Sequence, residues 1–562
     1  MSSKRSMTRR RFLQYGVGAG AALALPWTRS SVVSAAVGPT LEKFVQPVPL
    51  PGAGIVVAQT SGANQYAFTQ VPISRQLHPN LPPTPLWAYD DGSGLSGQAG
   101  SFGMAVVAQR GTPLDVSFTN GLPPTYPSWI PVDEKVSVFG KEVRVLTHLH
   151  GGFVAADSDG NPVATPDLFR SGETQHVHYP NEQAGTVLWF HDHGLGTTRL
   201  HVFAGLAAAY ILRDGDDTGL EGNAIGLPAG PYEIPLVIQD RQFNADGTFL
   251  YPRSSIPGVT WIGEYFGDVM LVNGKVWPFL DVEPRMYRFR VLNGCNARIL
   301  SLTAGGATFW QIGAEGGMWD QPVRVSRLVL APAERADVLV DFSKLAGQTL
   351  MLKNGKPAAP VSTPAPSLTA VMQIRVGTSV TRPGPTTIPT SLPGVKADIP
   401  GPVARKRYIT LNEVGPETPE WHLNLDGAVF GVQQQEPQVG TVEDWVYVNM
   451  TEDTHPMHLH LFMHQVIGRT PFDVDAYEEA FGGAEGVPGG HDPTPFATGP
   501  MEPPAPEERG FKDTVKANPG YFTTVRGRFD LPSGVTPPQS YVHHCHIVEH
   551  EDNDMMEAFV VQ

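Results

Sequence analysis

The sequence predicts an all-β protein of three successive sandwich or barrel units, and three observations carry that prediction. Glycine and proline number 60 and 53 in 562 residues, about a fifth of the chain against a usual level near 12%. Both residues break helices and populate turns, so the composition favours short strands joined by loops. No long 3.6-residue periodicity stands out, whereas β-branched and aromatic runs with period-two alternation recur between polar turns. The chain is also too long for one core, and all-β units of about 150–175 residues suit sandwiches or barrels.

Residues 1–36 read as an address. Thr8-Arg9-Arg10-Arg11-Phe12-Leu13 precedes an uncharged, weakly apolar run from Gly16 to Leu25, and Val33-Ser34-Ala35 and Ser34-Ala35-Ala36 offer small-residue cleavage sites. That order of basic, apolar and small residues is the order of an export signal. The paired arginines before Phe-Leu resemble a twin-arginine signal. The apolar run is about half of the ~20 residues needed to cross a bilayer, so no stable membrane insertion is expected. The expectation is a bacterial protein that folds in the cytoplasm and works in the periplasm or outside the cell.

The first unit is expected over residues 41–215. Val187-Leu188-Trp189-Phe190 and Ala204 to Leu212 look like buried segments, and the polar Arg213-Asp214-Gly215-Asp216-Asp217 closes the unit. The second, 216–376, holds strand-like runs at Val269–Gly274, Met286–Leu292 and Ala336–Phe342. Residues 377–405 are rich in Pro, Thr, Gly and Ser and read as a surface linker. The third unit, 406–562, contains a Gly-, Pro- and acid-rich stretch from Phe481 to Arg509, which reads as a long loop.

Charge and cysteine content narrow the function classes. The formal net charge is −15; without residues 1–36, which carry six bases and no acids, it is −21. Nucleic-acid binding is disfavoured, because phosphate contact needs a basic face. Two cysteines allow at most one disulfide, so this is not a disulfide-stapled scaffold.

Ten of the 18 histidines fall in four short clusters: His148 and His150; His191 and His193; His455, His458 and His460; and His544, His546 and His550. Each contains a His-x-His pair. On a strand, residues i and i+2 share a face about 6.6 Å apart, so paired imidazoles can reach neighbouring metal ions. In the fourth pair the central residue is Cys545, which alternation turns to the opposite face. Cys545, His550 five residues on, Met555 ten residues on and His455 make up the ligand set of a blue-copper site. Zinc is the rival wherever Cys and His gather, but a structural zinc site wants four closed ligands rather than four separated clusters.

With these clusters the chain resembles the three-domain multicopper oxidases, the laccase and bilirubin-oxidase family, in the branch of the bacterial spore-coat laccases and phenoxazinone synthase. Softer stretches point to the branch, among them Thr84 to Tyr89, Asp157-Ser158-Asp159-Gly160, Leu271 to Pro278, Leu330 to Arg335 and His550-Glu551-Asp552. The resemblance implies three cupredoxin-like Greek-key β-sandwiches and four copper ions. It implies a type 1 copper on His455, Cys545, His550 and Met555, and a type 2 copper on His148 and His458. The two type 3 coppers would take His150, His191 and His546 on one, and His193, His460 and His544 on the other. The second domain would supply no ligand and act as a spacer. Asp159 and Glu551 match acidic positions associated with proton delivery, and Cys545 would be the electron entry. The implied reaction couples one-electron oxidation of phenols, aromatic amines or bilirubin-like pigments to reduction of O2 to water. The alternative is a cuprous oxidase with Cu(I) as reductant, against which stands the single methionine, Met501, in the Phe481–Arg509 loop. A monomer is expected. Cys295 is expected to be a small buried residue, Met457 and Met463 to be core, and His176, His178, His201, His464 and His543 to be ordinary residues.

Overall fold

The computed structural model describes residues 38–93, 104–254, 261–414, 422–428, 430–431, 434–483 and 486–562. The expected export signal, residues 1–36, lies outside them. Strands between Leu50 and Arg213 form a six-stranded and a four-stranded sheet; those between Glu233 and Val376 form a seven- and a five-stranded sheet; those between Arg405 and Val561 form two five-stranded sheets. The all-β expectation, three cupredoxin-like sandwiches in series, holds.

One pairing recurs in each unit. Ala207–Arg213 lies parallel to Met104–Gln109, Glu233–Arg241 parallel to Met286–Asn293, and Arg405–Val414 parallel to Val442–Asn449. Parallel neighbours cannot be joined by a tight hairpin, so the chain must cross over in every unit.

Burial follows from where each strand lies. Leu114–Asn120 alternates buried and open positions, as a strand does with one face on a core and one towards solvent. Thr186–Asp192 and Met286–Asn293 are buried at every position. In the first sandwich Phe68, Phe118, Phe190 and Tyr89 interlock between the two sheets, with Tyr89 edge-on to Phe190 at 4.8 Å. Aromatic pairs of this kind add about 0.5–1.5 kcal/mol beyond the area they bury.

Residues 377–404 carry no helix or strand, and they are tied down. Leu392, Ala397 and Ile399 are buried, and the N–H groups of Leu392 and Ala397 donate to the carbonyls of Asp320 and Arg509. The Phe481–Arg509 stretch holds only 3-10 turns at Thr494–Phe496 and Pro506–Glu508 among its described residues.

The first and third sandwiches meet at their histidine-bearing strands. Thr147–His150 is the last strand of the six-stranded sheet, and His455–Leu459 lies between Thr514–Ala517 and Gln539–Cys545 in the third unit. A short helix, Ala156–Asp159, bridges the two: Ala156 N–H donates to Gln539 Oε1, and Asn161 Nδ2 donates to the Ser540 carbonyl. Gly160 ends this helix at φ 77°, and a Cβ there would stand 2.0 Å from the Thr147 carbonyl oxygen. Only glycine lets the helix end lie against the His148 strand.

Candidate metal centre

Register brings the four histidine clusters together. His148 is paired with His191 across the first-domain strands; His458 is paired with His544, and Met457 with Cys545, across the third-domain strands. Across the domain boundary the His148 ring stacks on His460 at 3.9 Å, and His150 stacks on His458 at 3.7 Å. All eight rings are buried. Their ring nitrogens form overlapping triplets with donor atoms within 4.8 Å of one another: His148, His150 and His458; His150, His191 and His546; His193, His460 and His544.

Hydrogen bonds fix which nitrogen faces inward. Nδ1–H of His148, His191, His458 and His544 donates to the carbonyl of Asp159, Asp192, Asp513 and Cys545 respectively, at 2.6–3.1 Å. His460 Nδ1 donates to Asp159 Oδ2 at 2.7 Å. The inward Nε2 atoms of His148, His191 and His458 have no hydrogen-bond partner. Those of His193 and His460 stand 3.4 and 3.2 Å from Nε2 of His544. His150 is reversed: its Nε2 faces Asp513 Oδ1 at 3.3 Å and its Nδ1 is unpartnered.

Buried polar atoms without partners are costly, by about 1–3 kcal/mol each, and a native fold rarely collects several in one place. Metal ions about 2.0 Å from each nitrogen would satisfy them, and nitrogens 3.2–3.4 Å apart can share one ion at that length. Burial also holds His148, His150, His193, His458, His460 and His546 far below the usual imidazole range and His191 at about 4. Neutral imidazole is the ligand form. The donor set fits a multinuclear metal cluster.

The same burial has a consequence for the metal-free protein. In the unfolded chain these imidazoles take up protons below about 6.5, whereas in the folded chain they resist until much lower pH. Stability is therefore full above pH 6.5 and is lost as pH falls towards the folded values. Calorimetry of the metal-free protein should show a falling melting temperature from pH 7 to pH 5.

On the other face of the same strand, Cys545 Sγ lies 3.5 Å from His455 Nδ1 and 3.7 Å from His550 Nδ1, and the two nitrogens are 3.2 Å apart. One ion with bonds of about 2.0 Å to nitrogen and 2.3 Å to sulfur fits that triangle. Met555 is fully buried in the same cluster, and its carbonyl accepts the Cys545 N–H at 3.0 Å. Burial pushes the Cys545 thiol up, so the thiolate needs a cation beside it. His455 Nε2 meets Thr451 Oγ1 at 2.6 Å, and Glu264 Oε1 stands 3.6 Å from His550 Nε2.

Both predicted acids reach the cage. Asp159 is fully buried and bonds His460; burial pushes its carboxyl up to about 8. Glu551, also buried, has its carboxylate oxygens 3.2 Å from His544 Nδ1 and 3.4 Å from His193 Nδ1. Cys295 is buried and unpaired, as expected. Met457 is core, and Met463 is only partly buried against the core.

Several contributors escaped sequence reasoning. Trp189 stacks on His191 at 4.3 Å. His201 is not an ordinary surface residue: it is buried and donates from Nδ1 to Asp192 Oδ1 at 2.5 Å, which places it behind the His191–His193 pair. Its spacing of eight from His193 gave no signal. Asp513 faces two cage histidines, yet it sits more than fifty residues from His458 in an unremarkable Lys-Asp-Thr context. The second domain was expected only to separate its neighbours; it supplies no cage histidine, but its Arg335 grips Asp513.

Three cupredoxin-like sandwiches with a Cys-His-His site on one face of a strand and an eight-imidazole cage on the other define a copper oxidoreductase. Residues 141–217 and 403–562 match the family described as multicopper oxidase. The chain is 36% identical over 544 residues to a laccase of Bacillus subtilis (strain 168), covering 92% of this chain and 98% of that one. It is 35% identical over 597 residues to a laccase of Haloferax volcanii, covering 99% and 91%. Among solved structures, the McoA multicopper oxidase of the hyperthermophile Aquifex aeolicus superposes with a TM-score of 0.72 at 26% identity, over 93% of this chain and all of that one. The chain belongs to the multicopper oxidase family. It is a copper-dependent, laccase-like oxidoreductase with O2 as electron acceptor.

Proposed function

We propose that this enzyme binds four copper ions and oxidises phenols, aromatic amines or bilirubin-like pigments. Under this reading His455, Cys545, His550 and Met555 hold the type 1 ion. His148 and His458 hold the type 2 ion, and the two triplets His150–His191–His546 and His193–His460–His544 hold the type 3 pair. The observation that carries the reading is the split of three consecutive residues: Cys545 Sγ turns to His455 and His550, while His544 and His546 turn into the cage. A few covalent bonds therefore link the electron entry to the cluster. Copper, when bound, supplies one-electron chemistry at the first site and reduction of O2 at the second.

The chain's own groups do the rest. Burial of all eight imidazoles excludes water from the cluster. Asp159 holds a proton next to His460, and Glu551 places its carboxyl group beside His193 and His544, where water formation consumes protons. Export through the twin-arginine route and a monomeric state complete the proposal; the basic-apolar-small order of residues 1–36 supports the first.

The test is direct. Copper-loaded protein should contain four ions per chain, show blue absorbance with a near-ultraviolet shoulder, and consume O2 with a simple phenol. Faster turnover with Cu(I) than with any phenol or pigment would favour the cuprous oxidase reading instead.

A further inference from the structure

We propose that Arg335, from the domain that supplies no ligand, is a positioning residue for the His150 side of the cluster, acting through Asp513. The proposal rests on the copper assignment above. Arg335 Nη1 and Nη2 donate to Asp513 Oδ1 and Oδ2 at 2.8 and 2.6 Å, a two-pronged pair with both partners buried. Two further donors of the guanidinium are engaged: Nε donates to the Val187 carbonyl at 3.0 Å and Nη1 to the Ala333 carbonyl at 3.1 Å. Val187 lies on the strand that carries His191, so one side chain ties all three domains together at the cage.

Asp513 passes this constraint to two histidines. Its carbonyl accepts from His458 Nδ1 at 2.9 Å, and its Oδ1 faces His150 Nε2 at 3.3 Å. That second contact matches a reversal in the cage. His150 alone has Nε2 directed at a carboxylate while its Nδ1 stays unpartnered and available to a metal. A planar guanidinium holding both carboxylate oxygens fixes the plane of that carboxylate, and so the ring it faces. Gly151, at φ 81°, makes room: a Cβ there would stand 2.6 Å from Asp513 Oδ2 and 2.8 Å from Arg335 Nη2. The glycine that follows the His-Leu-His motif is thus explained by the ion pair packed beside it.

A purely structural role is the competing account, because other buried pairs join the same two domains. Lys512 meets Glu315 and Glu334, and Lys516 meets Glu334. The two accounts part at the metal. Loss of an orienting partner typically weakens metal retention by about 10–100-fold. Arg335→Gln should therefore lose cage copper to a chelator about 10–100-fold more readily than wild type, with a weakened near-ultraviolet type 3 shoulder and unchanged blue absorbance. Arg335→Lys, which keeps the charge but not the fork, should fall between them and serves if the glutamine variant does not fold. Lys516→Met should lower the melting temperature and leave the near-ultraviolet shoulder as in wild type. A wild-type shoulder in Arg335→Gln or Arg335→Lys, or equal copper loss in Lys516→Met, overturns the role of Arg335. Copper-loaded wild type without any near-ultraviolet shoulder overturns the copper assignment itself.

Discussion

Cys545→Ser should abolish the blue absorbance and lower phenol-dependent O2 uptake by at least about a hundredfold, since loss of a direct ligand exceeds the 10–100-fold cost of losing an orienting group. The reason lies in where the sulfur sits. It is the third corner of the His455–His550 triangle and follows His544 directly in the chain. A serine hydroxyl is harder and bonds cupric and cuprous copper less well than thiolate, so both the ion and the electron path suffer together. The cage is built on the other face, so the near-ultraviolet type 3 shoulder and about three coppers per chain should remain. Retained turnover, or simultaneous collapse of the type 3 signal, would contradict the separation of the two sites across one strand.

Asp159→Asn should slow reoxidation of the reduced enzyme by O2 about a hundredfold, the lower end of what proton transfer by a placed acid contributes. The amide keeps the shape and can still accept from His460 Nδ1, and the backbone carbonyl that anchors His148 is untouched. What it cannot do is exchange a proton. Reduction of the blue site by phenol should therefore proceed at the wild-type rate, and stopped-flow traces should separate the two phases. Equal slowing of both phases would mean that the substitution disturbs the fold rather than the proton supply.

The site was written unevenly in the chain. Cys545 and the cage histidines were legible because metal ligation confines residue type and because strand alternation converts a spacing of two into a shared face. Asp159 and Glu551 were found by resemblance, since a carboxylate on a loop has no periodic signature. Asp513, Arg335, His201 and Trp189 were not found. Each acts on a ligand from a strand distant in sequence, and nothing local marks an aspartate whose partners are His150 and His458.

By itself the sequence determined the all-β class, the three-unit architecture and which histidines and cysteine are candidates to gather, because these follow from turn-rich composition, alternation and side-chain chemistry along one stretch of chain. Only the tertiary structure decided which ring nitrogen faces inward, which acid stands behind which histidine, and that the middle domain reaches the cage through Arg335. Those are matters of orientation, set by hydrogen bonds and close packing between segments hundreds of residues apart, and a one-dimensional pattern carries no angle.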